Sequence, residues 1–140
     1  MEMTTVDDAW FQEAMPFARL LGMRLGAAGP DEVRGSLDWR PELCTTPSVL
    51  HGGALMAFAD SLGGVCAILN LRPGEGTSTI ESKTNFFRAV RGGTVEGVTK
   101  PLHVGRTTIV VQTDVRDDHG RRVAQVTQTQ AVLAPRPETS

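Results

Sequence analysis

The stretch VLHGGALMAFADSLGG, Val49 to Gly64, sets one carboxylate, Asp60, among apolar and small residues, directly behind a His-Gly-Gly turn. A desolvated, unpaired carboxylate costs several kcal/mol or takes up a proton, so an acid buried here must be stabilised or used. On a helix, Met56, Ala57, Gly63 and Gly64 share its face, with Gly53 nearly two turns back on much the same side. Most of these are small, which lets backbone or a ligand approach Asp60 closely. Each glycine inside a helix costs about 1 kcal/mol relative to alanine, so their presence calls for a packing or functional reason. At the helix start, Gly52 and Gly53 offer backbone N–H groups backed by the positive end of the helix dipole. That is a place for a carbonyl oxygen that becomes negative during a reaction. Two readings stand. In one, the glycines make a tight turn and a packing seam, and Asp60 bonds an arginine from another strand. In the other, the N–H pair and a carboxylate two turns further on are the halves of an acyl-transfer site.

The elements that must position these groups follow from the pattern of the chain. Asp7 and Asp8 open a helical pattern through Trp10, Phe11, Met15 and Phe17 that Pro16 interrupts, which predicts two short helical pieces in an N-terminal segment over 1–21. DEVRGSLDW alternates as a half-buried strand, and RPELCTTPSVL reads as loop. A long helix is expected from about Gly53 to Leu71, stopped by RPGEG. Four extended stretches follow, Thr77 to Phe87, Thr94 to Lys100, Thr107 to Val115 and Arg122 to Leu133, separated by RGG, HVG and DDHG. One apolar helix among about five antiparallel strands predicts an α+β domain whose sheet wraps the helix. The tail over 134–140 is expected to be flexible.

Composition narrows the function classes. A chain of 140 residues suits a single domain over 1–140. Its net charge of -2 gives no general attraction for nucleic acid or an anionic membrane. Two cysteines, Cys44 and Cys66, make a disulfide framework improbable, and the acidic N-terminus is no export signal; both point to the cytoplasm. Polar and glycine residues interrupt the apolar run too often for a membrane span, and His51, His103 and His119 lack zinc-motif spacing. Neither metal nor membrane is expected.

HGGALMAFAD, followed by NFFRAV and by HVGRTTIVVQTDVRDDHGRRVAQVTQ, resembles the hotdog-fold acyl-CoA thioesterases, in particular their Arthrobacter-type 4-hydroxybenzoyl-CoA and phenylacetate-pathway (PaaI-like) branches. The resemblance covers roughly Gly22 to Leu133. It implies a hotdog fold, an antiparallel sheet of five to six strands around one central helix. It also implies an active site between two subunits joined edge to edge, in a homodimer or, more often in this family, a homotetramer. Asp60 takes the position of the acid that acts as nucleophile or general base, and Gly52 that of the N–H polarising the thioester carbonyl. No cofactor is implied, because coenzyme A is part of the substrate.

Further residues carry over by position. Thr45 stands where relatives often place Asn or Gln, which leaves Thr45, Thr46 or a serine to orient the thioester. Gly64 replaces a residue that is often a water-binding Thr. His51 is expected to buttress the turn, and Gly53 lies beside it. Arg88, Arg106 and Thr107 match phosphate contacts for coenzyme A, and Arg136 lies close to another. Phe58, Met56, Phe86 and Phe87 could line an apolar acyl slot or belong to the core. An aryl- or arylacetyl-CoA is the substrate class implied. The alternatives are a medium-chain acyl-CoA, a hydratase or dehydratase of the same fold pairing His51 with Asp60, and a non-catalytic acyl-CoA-binding module.

Overall fold

The computed structural model describes residues 5–137. Helices α1 (Asp8–Ala14) and α2 (Pro16–Leu21) are the two predicted pieces, the first capped by Asp7, whose side chain accepts from Trp10 N–H, the second beginning at Pro16. Strands β1 (Arg24–Ala28) and β2 (Val33–Asp38) follow, then a minimal ladder of β3 (Cys44–Thr45) and β4 (Val49–Leu50). The long helix α3 (Gly52–Leu69) precedes β5 (Gly76–Phe86), β6 (Thr94–Val104), β7 (Thr108–Arg116) and β8 (Arg122–Leu133). One antiparallel sheet runs in the order β1-β2-β6-β7-β8-β5, and α3 packs against all six of its strands.

Three expectations are corrected. RLGAA, not read as a strand, forms β1 and brings the sheet to six, within the five to six implied; it lacks the β-branched residues that mark a strand in sequence and exists because β2 pairs with it and α1 lies against it. RPELCTTPSVL contains a 3-10 turn and the β3–β4 ladder in place of an unstructured loop. HVG separates strands only at Gly105: β6 runs on through His103 and Val104, its ladder shifting register between Pro101 and His103 where proline cannot donate. The helix spans Gly52–Leu69, with Asn70 closing it. Residues 134–137 are exposed and irregular; the rest of the predicted tail, 138–140, lies outside the described residues.

Helix and sheet meet where the sequence is smallest. Gly35 and Gly97 are register partners on β2 and β6. A Cβ on either would come within 2.6 Å of a Leu62 methyl, and on Gly97 within 3.0 Å of the Phe58 ring. The missing side chains form a notch into which Phe58 and Leu62, both fully buried, are pressed. By length and composition α3 could cross a membrane, but half of it is buried within this fold. Cys66 belongs to the same core, where burial pushes its thiol up to about 11, so it stays protonated and unreactive.

The two sheet edges differ. At β1, Asp8 of α1 accepts from Leu25 N–H at 2.8 Å, covering part of the edge. At β5, residues Ser78–Lys83 are all exposed. Near the first edge, Asp38 accepts two bonds from Arg24 and one from Thr94, and the Arg24 guanidinium is the main reason its carboxyl sits at about 2. A depressed carboxyl stabilises the fold above its unfolded pKa, and that stabilisation is lost as pH falls from about 4 towards 2. Both side chains are half exposed, so solvent screening limits the contribution to under about 1 kcal/mol. Asp38→Asn should therefore lower the melting temperature slightly at pH 7 and leave it unchanged relative to the parent at pH 2.

Candidate active site

The turn into α3 is built by His51. Its backbone is extended and its Nδ1 accepts from Gly53 N–H at 2.7 Å, which places the remaining ring proton of a neutral imidazole on Nε2. Gly53 is needed there, because a Cβ would lie 2.8 Å from that same nitrogen. The N–H of Gly53 is thus occupied, which corrects the expectation of two free donors. The N–H of Gly52 meets no acceptor among the described residues. Gly52 lines a cavity with Thr45, Phe86, Phe87 and Arg88, and the Phe86 ring lies 3.1 Å from where a Gly52 Cβ would stand. An unused N–H at a helix start, in an apolar recess, suits a carbonyl oxygen that gains negative charge.

Asp60 is exposed, not buried, and no cation pairs with it among the described residues, so the arginine-bonded alternative is not what the chain does. Its partners are neutral. Thr79 Oγ1 on β5 donates to Oδ1 at 2.9 Å, and Gln128 Nε2 on β8 donates to the same oxygen at 3.0 Å. The carboxylate faces a second cavity, lined also by Met15, Phe17, Gly64 and Ile68. Asp60 and Gly52 are eight residues apart on one helix, about 12 Å along its axis, and so open on different cavities.

The remaining predicted residues divide. Thr45 borders both the Gly52 cavity and a neighbouring one that also holds Thr46 and His51. Phe86 and Phe87 are exposed beside Gly52, and Met56 is exposed on α3, whereas Phe58 is core and lines no slot. Arg88 and the Arg106–Thr107 pair do not meet in one chain. Arg88 bonds the backbone at Val123 near the start of β8, and Thr107 does so at Val132 near its end, roughly 30 Å apart at strand rise. Arg136 is exposed in the tail. The one group of metal-ligating type among the described residues, Asp117, Asp118 and His119, sits in the β7–β8 turn, where Asp117 already accepts from the N–H groups of His119 and Arg121.

Sequence reasoning missed Thr79, Gln128 and Gln130. The signal was present: alternation from Ala124 and Val126 puts Gln128 and Gln130 on the inward face of β8, where both are buried. A polar pair on a strand's buried face implies a polar partner, and Asp60 with Thr79 is that partner.

Residues 48–124 match the family model described as Thioesterase superfamily. A Mycobacterium tuberculosis protein bearing an esterase name, Rv1847, is 36% identical over 114 residues, which cover 79% of this chain and 81% of that one. The Escherichia coli protein named 1,4-dihydroxy-2-naphthoyl-CoA hydrolase is 31% identical over 113 residues, covering 81% and 83%. Among solved structures, a mutant of the Pseudomonas aeruginosa thioesterase PA1618 superposes with a TM-score of 0.87 at 27% identity, over 93% of this chain and 96% of that one.

Proposed function

The chain belongs to the thioesterase superfamily, has its hotdog architecture and is a thioester hydrolase; from that premise we propose that it cleaves an aryl- or arylacetyl-CoA at a site completed by two copies of the chain. One copy supplies the Gly52 N–H for the thioester oxygen and the other supplies Asp60. The observation that carries this is the separation within one chain: about 12 Å of helix lies between the two groups, too far for both to act on one carbonyl carbon. The exposed edge of β5 offers the surface along which a second copy would bring its own Asp60 near Gly52, since Thr79 at one end of β5 bonds Asp60 and Phe86 at the other packs on Gly52.

With the carbonyl oxygen on Gly52 N–H, Asp60 either attacks the carbon, releasing the coenzyme A thiolate and leaving a mixed anhydride that water cleaves, or takes a proton from a water that attacks. Arg88, exposed at the mouth of the Gly52 cavity, is suited to a phosphate of coenzyme A. Arg106 and Thr107 would reach the same cofactor-sized substrate only from another subunit.

The aryl preference is supported by Phe86 and Phe87 beside Gly52 and Phe17 beside Asp60, whose exposed ring faces suit a flat aromatic acyl group. The name of the Escherichia coli relative, which specifies a naphthoyl thioester, points the same way. Thiol release from matched benzoyl-, phenylacetyl-, octanoyl- and crotonyl-CoA tests the reading. We expect kcat/KM for the aromatic pair to exceed that for octanoyl-CoA by about tenfold or more, the scale of a few well-packed ring contacts. A preference for octanoyl-CoA would replace the aryl assignment with the medium-chain one, and crotonyl-CoA hydration without thiol release would favour the hydratase.

A further inference from the structure

Asp60 receives both of its hydrogen bonds on one oxygen. Thr79 and Gln128 converge on Oδ1, and Oδ2 meets no donor among the described residues. We propose that Thr79 and Gln128 are positioning residues that pin Asp60 through Oδ1 and so designate Oδ2 as the oxygen that meets the thioester carbon or its attacking water. The inference rests on the role given to Asp60 above and deepens it.

The direction of each bond is fixed by its surroundings. Gln130 Nε2 donates to Thr79 Oγ1 at 2.8 Å, so the hydroxyl, already accepting, has its own proton free for Asp60. Thr77 Oγ1 lies 3.1 Å from Gln130 Oε1 and 2.9 Å from the Ala131 carbonyl, so its single proton is shared between the two acceptors. Gln130, Thr79 and Asp60 thus form a one-way chain of donors from the inward face of β8 through β5 to a single carboxylate oxygen.

Gln128 is held differently. It is fully buried, its Nε2 must face the carboxylate, and its Oε1 has no partner. An orphaned buried acceptor is unfavourable, and an apolar residue continuing the alternation from Val126 would avoid it. What glutamine adds at this position is the donor to Asp60. Gly63, one turn along α3 from Asp60, leaves the space for it: a Cβ there would collide with the Gln128 amide. Gly63, Gln128 and Thr79 come from three elements and are shaped around the same oxygen.

A carboxylate rotates about two bonds, and a reacting oxygen must be aimed within a narrow range to attack or to take a proton. Fixing one oxygen aims the other. The cost is that donors to a carboxylate draw charge from it, so the arrangement is useful only if aim matters more than basicity.

Thr79→Val removes the hydroxyl at constant shape, Thr79→Ser restores it, and Gln128→Met removes the amide at similar length. Each is compared with Asp60→Asn on the preferred acyl-CoA, with melting temperature recorded. Thr79→Val and Gln128→Met should each lower kcat about tenfold with KM changed less than about twofold, and Thr79→Ser should recover most of the loss. Should Gln128→Met fail to fold, the exposed Thr79 pair carries the test alone. Parent-like kcat in Thr79→Val, or a loss that serine does not restore, overturns the positioning role while an inactive Asp60→Asn leaves Asp60 in place. A fully active Asp60→Asn overturns the underlying reading as well.

Discussion

Asp60→Asn should lower thioester hydrolysis by on the order of 10²- to 10⁴-fold, the range general acid–base and nucleophilic groups supply. The substitution is informative because the surroundings can accept it. Asn keeps the shape of the side chain and can still present a carbonyl oxygen to Thr79 and Gln128, which both act as donors to Asp60. Asp60 is exposed and pairs with no cation among the described residues, so removing its charge orphans none. The fold should therefore survive, with the melting temperature within a few degrees of the parent. Coenzyme A affinity should also persist, since the Gly52 N–H and Arg88 are untouched. Thiol release under saturating substrate, with coenzyme A binding measured by calorimetry, separates the two effects. Activity above about a tenth of the parent would remove Asp60 from the chemistry, because no assignment as base or nucleophile tolerates so small a loss.

Leu62→Ala is the largest stability effect expected, about 4 kcal/mol. The loss depends on how well neighbours can close the void, and here they cannot. Leu62 is fully buried against the Gly35–Gly97 notch, which has no side chains to swing inward, and the strands carrying those glycines are held in register by the ladder itself. A domain of this size has roughly 5–15 kcal/mol in total, so the variant should unfold at much lower denaturant. Chemical denaturation of parent and variant gives the number directly. A loss under about 2 kcal/mol would mean that the sheet collapses onto the helix, contrary to the rigidity of the notch.

How much of this was legible in the residues depended on whether local pattern or distant partners made the element. The long helix, the Pro16 break and the β7–β8 hairpin were readable because apolar spacing, proline and the DDHG turn act locally. β1 was not, since Gly26, Ala27 and Ala28 carry no strand preference and are ordered by β2. The same division runs through the site. Asp60 and Gly52 stood out as a carboxylate and an N–H donor in an apolar run. Yet Asp60 was expected to be buried, and it is exposed because it sits on the face of α3 towards the edge strand β5, where it lines an open cavity. Thr79 and Gln128 escaped notice because their meaning arises only when β5 pairs with β8 beside α3. The split between Arg88 and Arg106 was equally invisible, since sequence distance along a hairpin says nothing about which end of the sheet a turn occupies.

The unequal edges of the sheet bear on how such molecules can grow. A filament built by lateral addition requires backbone open on both flanks of every unit. Here α1, with Asp8 on the Leu25 amide, covers part of one flank, while the β5 flank stays open. Such a difference favours pairing between like β5 flanks, which closes after one step, over open-ended addition. A single short helix on the opposite side thus works against fibre formation in a fold whose other edge is an exposed strand.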